Sequence, residues 1–153
     1  MSKKLTTQQI GKCGELLVQY HLLQNGVESA PMTTDSGIDL VAYSSKGKKA
    51  LTIQVKTNLK PTPGGGRGKL SVTWWVPQNS DAELFAFVDL SKEQIWIVKN
   101  EEIESLAQQN PPGRYHLIMV LDPDAKDRKD KKKFRMFEFE RFKLENRLHK
   151  LFG

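Results

Sequence analysis

"IDLVAYSSKGKKALTIQVKT", Ile38 to Thr57, is the stretch whose reading decides the fold. Two runs rich in β-branched and apolar residues, Ile38–Tyr43 and Leu51–Thr57, flank "SSKGKK", a loop of hairpin length with Gly47 at its tip. They therefore read as antiparallel neighbours. Side chains alternate along a strand, so Leu51, Ile53 and Val55 take one face of the second run while Gln54 and Lys56 take the other. In the first run Ile38, Leu40 and Ala42 share a face, which leaves Asp39 opposite with Val41 and Tyr43. Pairing the two runs lets Asp39, Gln54 and Lys56 meet on one side of a sheet.

Upstream, Thr6 and Gln9 have the spacing of a capping box, and a helix is expected from there to about Gln24, stopped by Gly26. Ile10, Cys13, Leu16, Leu17, Tyr20 and Leu23 form an apolar stripe at helical spacing. Gly11 and Gly14 would let the helix lie close to whatever it covers, and Glu15 sits at the border of the stripe. A short segment at Val27–Met32 and the turn-rich "TTDSGID" then lead into the hairpin. Packed nearby, the helix brings Glu15 toward Asp39.

Downstream, "NLKPTPGGGRGK" is a basic loop too rich in Pro and Gly for regular structure. Leu84–Leu90 and Gln94–Val98 read as a second hairpin, Glu101–Gln109 as a short helix closed by "NPPG", and Tyr115–Leu121 as a late strand. Phe134–Phe139 fits either period, whereas Leu144, Leu148 and Leu151 favour a final helix. With no internal repeat and no dividing linker, the reading is one α/β domain over residues 1–153. Its mixed central sheet of about four to five strands is flanked by helices, with a C-terminal helical extension from about residue 122.

At 153 residues the chain can bury a sizeable core without disulfides. Cys13 is its one cysteine, which rules out an internal bridge or a thiolate metal cage and fits a reduced compartment. The N-terminus "MSKKLTTQQI" lacks the apolar core of a signal peptide, and no run approaches membrane-spanning length, so a cytoplasmic location without membrane contact is expected. Lys and Arg number 24 against 18 Asp and Glu, a net charge of +6 with a sequence pI near 9.4. That balance favours a polyanionic partner. The basic residues gather at Lys46–Lys49, Lys56–Lys69 and "KDRKDKKKFR", Lys126–Arg135. Lys48, Lys49, Lys60, Arg67, Lys69, Arg128, Lys131 and Lys132 are the candidates for contact with a nucleic-acid backbone, although a run of charge is also an ordinary solvated loop.

One carboxylate, one amide oxygen, one lysine and a helical carboxylate suit the holding of a divalent cation beside a phosphodiester, because magnesium takes oxygen ligands and keeps several waters. Asp39 would be the principal ligand, joined by Gln54, by the backbone carbonyl of Val55, and by Glu15 through a water. Coordination acidifies a water and stabilises charge on phosphate, and Lys56 would orient that water or neutralise the developing charge. Each residue alone has a plain structural reading: a solvent-facing strand surface for Gln54 and Lys56, a surface helix residue for Glu15, a turn-bonding residue for Asp39. The ordered conjunction of all four is what points to a site.

"GKCGE", "DSGIDLV" and "IQVKT" together resemble the PD-(D/E)XK nuclease superfamily, and in particular its branch of Holliday-junction-resolvase-like and methylated-DNA restriction endonucleases, in which Gln can replace the acid of the last signature. The resemblance runs in order and spacing from about Thr6 to Val98, through "LFAFVDLSKEQIWIV". It implies a restriction-endonuclease-like core, active-site roles for Glu15, Asp39, Gln54 and Lys56, and a Mg2+-dependent cut in DNA, with Mn2+ as a substitute. Gln54 departs from the acidic pattern, and the lost charge implies weaker metal binding. A homodimer is compatible with this reading, because cutting two strands usually calls for a symmetric pair of chains. Two rivals stand beside this reading: a non-catalytic nucleic-acid-binding module on the same fold, and a basic protein-interaction domain.

Other motifs carry less. "PGGGRGKL" has Pro63 where a phosphate loop needs its first Gly, and Leu70 where it needs Ser or Thr. Cys13 and His21 stand about 12 Å apart along a helix, too far for a nucleophile pair. His21, His116 and His149 lack ligand spacing. Of Trp74 and Trp75, one is expected in the core and its neighbour partly exposed, with base stacking as the alternative.

Overall fold

The computed structural model describes residues 3–34 and 36–153. Met1, Ser2 and Asp35, the last within the turn read from "TTDSGID", lie outside the described residues. Helix α1, Thr7–Gln24, begins at Thr6 with both bonds of the capping box, Gln9 N–H donating to Thr6 Oγ1 at 3.1 Å and Thr6 N–H to Gln9 Oε1 at 2.9 Å. Strands β1 (Glu28–Pro31), β2 (Leu40–Ser44) and β3 (Lys49–Asn58) follow. Next come β4 (Thr62–Pro63), β5 (Leu70–Pro77), β6 (Leu84–Asp89) and β7 (Gln94–Lys99). Helix α2 (Ile103–Leu106), β8 (Arg114–Val120) and helix α3 (Leu144–Phe152) complete the order.

Five strands form a mixed sheet in the order β1-β2-β3-β6-β7, with β3–β6 its one parallel pair, and β4-β5-β8 form a second, antiparallel sheet. Parallel neighbours need a crossover. Here the chain between β3 and β6 supplies it by building β4 and β5. On one face of the large sheet, Leu40, Ile53, Ala86 and Ile97 pack against Val18 and Leu22 of α1 and against Leu144, Leu148 and Leu151 of α3. On the other face Phe85, Phe87, Trp96 and Val98 meet Val72, Trp74 and Val76 of β5, Leu117 and Met119 of β8, and Phe139 and Phe142. Trp74 fixes the second cluster, its ring 5.2 Å from Phe87 and 5.8 Å from Trp96, with its indole N–H donating to the Val88 carbonyl at 3.3 Å.

The structure departs from the sequence reading in four places. Strand β5 and the second sheet it organises were not expected, and Thr62–Pro63 of the Gly-rich loop adds a two-residue strand to that sheet. The expected helix at Glu101–Gln109 is one short turn of 3-10 helix followed by α2. Phe134–Phe139 is neither strand nor α-helix, since residues Met136–Phe142 form a 3-10 helix that buries Phe139 and Phe142. The fourth concerns α1, which buries Gly14, Val18 and Leu22; of the expected apolar stripe Leu17 packs against the core and Ile10 is half-buried, while Leu16, Tyr20 and Leu23 are 55%, 58% and 63% exposed. Close approach explains the choice: a Cβ added at Gly14 would overlap the Thr57 side chain, so α1 rests its glycine face on β3. Gly11, by contrast, has nothing within 4 Å of such a Cβ.

The C-terminal segment contributes to both apolar clusters. Arg147, almost wholly buried on α3, donates to Glu102 at 3.1 and 3.2 Å and lies over the Phe142 ring. No helix among the described residues is long and apolar enough to cross a membrane.

Candidate active site

Pairing of β2 with β3 ends at Leu40↔Ile53, so among the described residues β3 continues past that point with no strand neighbour on its β2 side. In an extended strand a residue's N–H and C=O point to the same side. Ile53 offers its carbonyl to Asp39 N–H at 2.9 Å. Two residues on, Val55 presents both backbone groups to the same open edge. The Asp39 carboxylate fills part of it, Oδ2 accepting from Val55 N–H at 2.7 Å. The Val55 carbonyl faces the remaining space.

Glu15 reaches this edge from α1, one residue beyond the glycine contact. It and Asp39 line a polar cleft of about 290 Å³ together with Lys12, Met32, Thr34 and Ile38. Burial raises the Glu15 carboxyl above its ordinary value of 4.5, and the Asp39 charge raises it further, against Lys12, whose ammonium lies 3.4 Å from Glu15 Oε2. The two acids are thus close enough to repel. An acid whose folded pKa is raised contributes most to stability below its unfolded value, and that contribution is lost as pH rises through the folded value. In the metal-free protein, the melting temperature of Glu15→Gln should therefore gain on the parent's as pH rises from about 4 to 7. A gap that stays constant over that range would mean that Glu15 feels neither burial nor Asp39.

Gln54 and Lys56 stand in register with Phe85 and Phe87 and share their face of the sheet, whereas α1 covers the face of Ile53. The four side chains therefore do not gather on one face. Glu15 and Asp39 come together at the β3 edge, and Lys56 lies one residue past Val55 on the far face. Gln54 is buried, and its Oε1 accepts from the Ser80 hydroxyl at 3.0 Å, which leaves one lone pair of that oxygen for another partner. Ser80 was not found from the sequence, because it lies 26 residues away on the turn before β6. No hydrogen bond or ion pair among the described residues joins Lys56 to the other three. Nor do the described residues hold a group of three His, Cys, Asp or Glu side chains fit for a metal. A cation here would have two carboxylates and would need neutral oxygens for the rest.

The basic candidates divide. Lys69 pairs with Asp122 at 2.6 Å, and Arg128 grips Asp130, whose carboxyl it holds down to about 2. Lys132 donates to the Ala107 carbonyl at 2.7 Å, closing α2. Those three are engaged internally. Lys48, Lys49, Lys60, Arg67 and Lys131 are exposed and make no ion pair among the described residues. Lys48 and Lys49 sit at the hairpin turn, about 17 Å along β3 from Gln54. Trp74 is buried and Trp75 is 38% exposed, but the Trp75 ring is already taken, stacked on His116 at 3.8 Å and covered by Arg114 at 3.9 Å.

The chain shares its fold with a bacterial homing endonuclease. That protein, I-Ssp6803I, superposes with a TM-score of 0.63 at 17% sequence identity, over 97% of this chain and 93% of its own. No protein-family model and no curated protein matches the chain by sequence. At that identity the likeness speaks for the fold, a mixed α/β architecture similar to a nuclease.

Proposed function

We propose that the chain is a DNA endonuclease of the PD-(D/E)XK type, with Gln54 and Lys56 as a QxK signature and a divalent cation, Mg2+ or Mn2+, as its cofactor. The observation that carries this reading is the meeting of Glu15 and Asp39 at the open edge of β3, one residue from Lys56. The likeness to a homing endonuclease and the surplus of basic residues support DNA as the substrate.

The residues present fit a cation. Two acids held close enough to repel gain from a positive charge between them, and the Val55 carbonyl faces the same space. Asp39 and Glu15 would hold the ion, with the Val55 carbonyl and the second lone pair of Gln54 Oε1 as neutral ligands. When bound, such an ion supplies a water acidified toward neutral pH and neutralises charge on the scissile phosphate. The chain's own groups do the rest. Val55 N–H fixes the Asp39 carboxylate and the Ser80 hydroxyl fixes the Gln54 amide, while Lys56 would supply the ammonium that neutralises charge growing on phosphorus-bound oxygen.

Gln54→Glu restores the missing charge and keeps an acceptor for Ser80. It should tighten Mn2+ binding by about tenfold, the effect of about 1.4 kcal/mol, without abolishing cleavage. Calorimetric titration finding equal affinity in the two proteins would count against Gln54 as a ligand.

The function is tested by a panel of labelled duplex, junction, flap and single-stranded DNA, and of RNA, incubated with Mg2+, Mn2+ or chelator. Metal-dependent cutting of DNA is expected. Salt-sensitive binding with no cutting in either metal would replace the reading with a non-catalytic nucleic-acid-binding module, which the shortage of carboxylates favours. Absence of binding would leave the basic protein-interaction domain.

A further inference from the structure

The polar cleft at the edge of β3 already contains a cationic side chain. Lys12, three residues before Glu15 on α1, lines the cleft together with Glu15, Thr33, Thr34, Ile38 and Asp39, and its ammonium lies 3.4 Å from Glu15 Oε2. The two acids bring two negative charges and Lys12 returns one positive charge, so it stands as counter-ion to a carboxylate that a divalent cation would also claim. The hold is weak. The Lys12 side chain is 56% exposed, Glu15 is its one hydrogen-bond or ion-pair partner among the described residues, and an exposed lysine–carboxylate pair yields easily to a stronger partner. Its flexible four-carbon stem can swing without moving the helix.

We propose that Lys12 is a phosphate-holding residue of the site, gated by the ion: in the metal-free protein it neutralises Glu15, and a divalent cation on Glu15 releases it to a backbone phosphate of the bound strand. The inference rests on the nuclease reading. An ammonium and a divalent cation on one carboxylate would stand side by side and repel, so binding of the ion and the Lys12–Glu15 contact exclude each other. Once displaced, the ammonium remains tethered at the mouth of the cleft, where a DNA phosphate is the natural anion to receive it. Placement favours the same outcome. Helix α1 covers the face of β3 that carries Ile53, whereas Lys56 stands on the opposite face with Phe87. Lys12 and Lys56 therefore flank the Glu15–Asp39 pair from the two sides of the β3 edge, and a strand lying across that edge would meet one lysine on each side of the ion. Because the ion releases a phosphate contact, ion and DNA should each strengthen the binding of the other.

Lys12→Gln tests this beside Lys12→Arg, which keeps the charge, and Lys4→Gln, which removes the same charge from an exposed position outside the cleft. Calorimetric titration without DNA should show Lys12→Gln binding Mn2+ about three- to tenfold more tightly than the parent, with Lys12→Arg and Lys4→Gln near the parent's value. Binding of a labelled duplex is then measured against salt in the Lys56→Ala background, which suppresses cutting, once in chelator and once at a fixed Mn2+ concentration. With Mn2+, Lys12→Gln should flatten the dependence of log K on log salt by about 0.9, the signature of one lost phosphate contact, and Lys12→Arg should restore it. In chelator, where Glu15 holds Lys12, the slope should barely change. A Mn2+ affinity that Lys12→Gln leaves at the parent's value, or a slope change that is the same in chelator and in Mn2+, overturns the inference while the nuclease reading stands. Mn2+ or DNA bound by none of these proteins removes the nuclease reading itself, and the inference with it.

Discussion

Replacing Lys56 by alanine is expected to slow DNA cleavage by on the order of 10²–10³-fold or more, with little change in folding or in DNA affinity. The backbone of Lys56 is held in the β3–β6 ladder opposite Phe87, which alanine preserves. Its side chain makes no hydrogen bond or ion pair among the described residues, so its removal leaves no buried partner unsatisfied. Stability should shift by no more than about 0.5 kcal/mol. Binding should weaken at most by one phosphate contact among many. What is lost is the positive charge of the residue that follows Val55 on β3, which the proposed reading uses against negative charge gathered in the transition state. Single-turnover cleavage, thermal melting and binding at several salt concentrations separate the three effects. A purified variant that cuts at the parent's rate removes Lys56 from the chemistry.

Gly14→Ala should cost about 1–3 kcal/mol of stability and lower cleavage with it. The added methyl overlaps Thr57 Oγ1 and comes within 2.8 Å of its Cβ and Cγ2, atoms held on a central strand that cannot withdraw. Helix α1 must lift, and Glu15 is the next residue along it. Gly11→Ala is the control, since nothing stands within 4 Å and the better helix former should gain up to about 1 kcal/mol. Denaturant melts of both variants decide. Equal effects at the two positions would show that Gly14 acts through helix propensity alone, and that the contact with Thr57 does not set the position of α1.

The same contact shows why one part of the fold was legible and another was not. Local rules are visible in a sequence: the capping box at Thr6 and Gln9, the hairpin about Gly47, and the alternation that places Ile53 in one core and Gln54 on the other face all reappear in the structure. For α1, periodicity selected the most apolar face, yet packing selected the face with the smallest residue at its centre. The gain from Val18 and Leu22 lying flat on β3 depended on Gly14, and no measure of hydrophobicity records that. Strand β5 does show its alternation in Val72, Trp74 and Val76. The Gly-rich loop before it hid the strand, although the expected split between a core tryptophan and a partly exposed neighbour holds, with Trp74 buried and Trp75 38% exposed. The edge of β3 was out of reach for a different reason. Residue types at Asp39, Gln54 and Lys56 suggested a site, but that Asp39 meets Val55 N–H in the plane of the sheet depends on where β2 stops. Ser80 reaches Gln54 only through the pairing of strands distant in the chain.

Titration with Mn2+, followed by its paramagnetic resonance, decides whether Glu15 and Asp39 hold a divalent cation at the edge of β3. The parent, Asp39→Asn and Glu15→Gln would be compared, each bound to uncleaved DNA. One bound ion per chain is expected in the parent, none retained in Asp39→Asn, weakened binding in Glu15→Gln, and cleavage that tracks occupancy. Mn2+ held equally by all three proteins, or by none of them while the parent still cuts DNA, would contradict it.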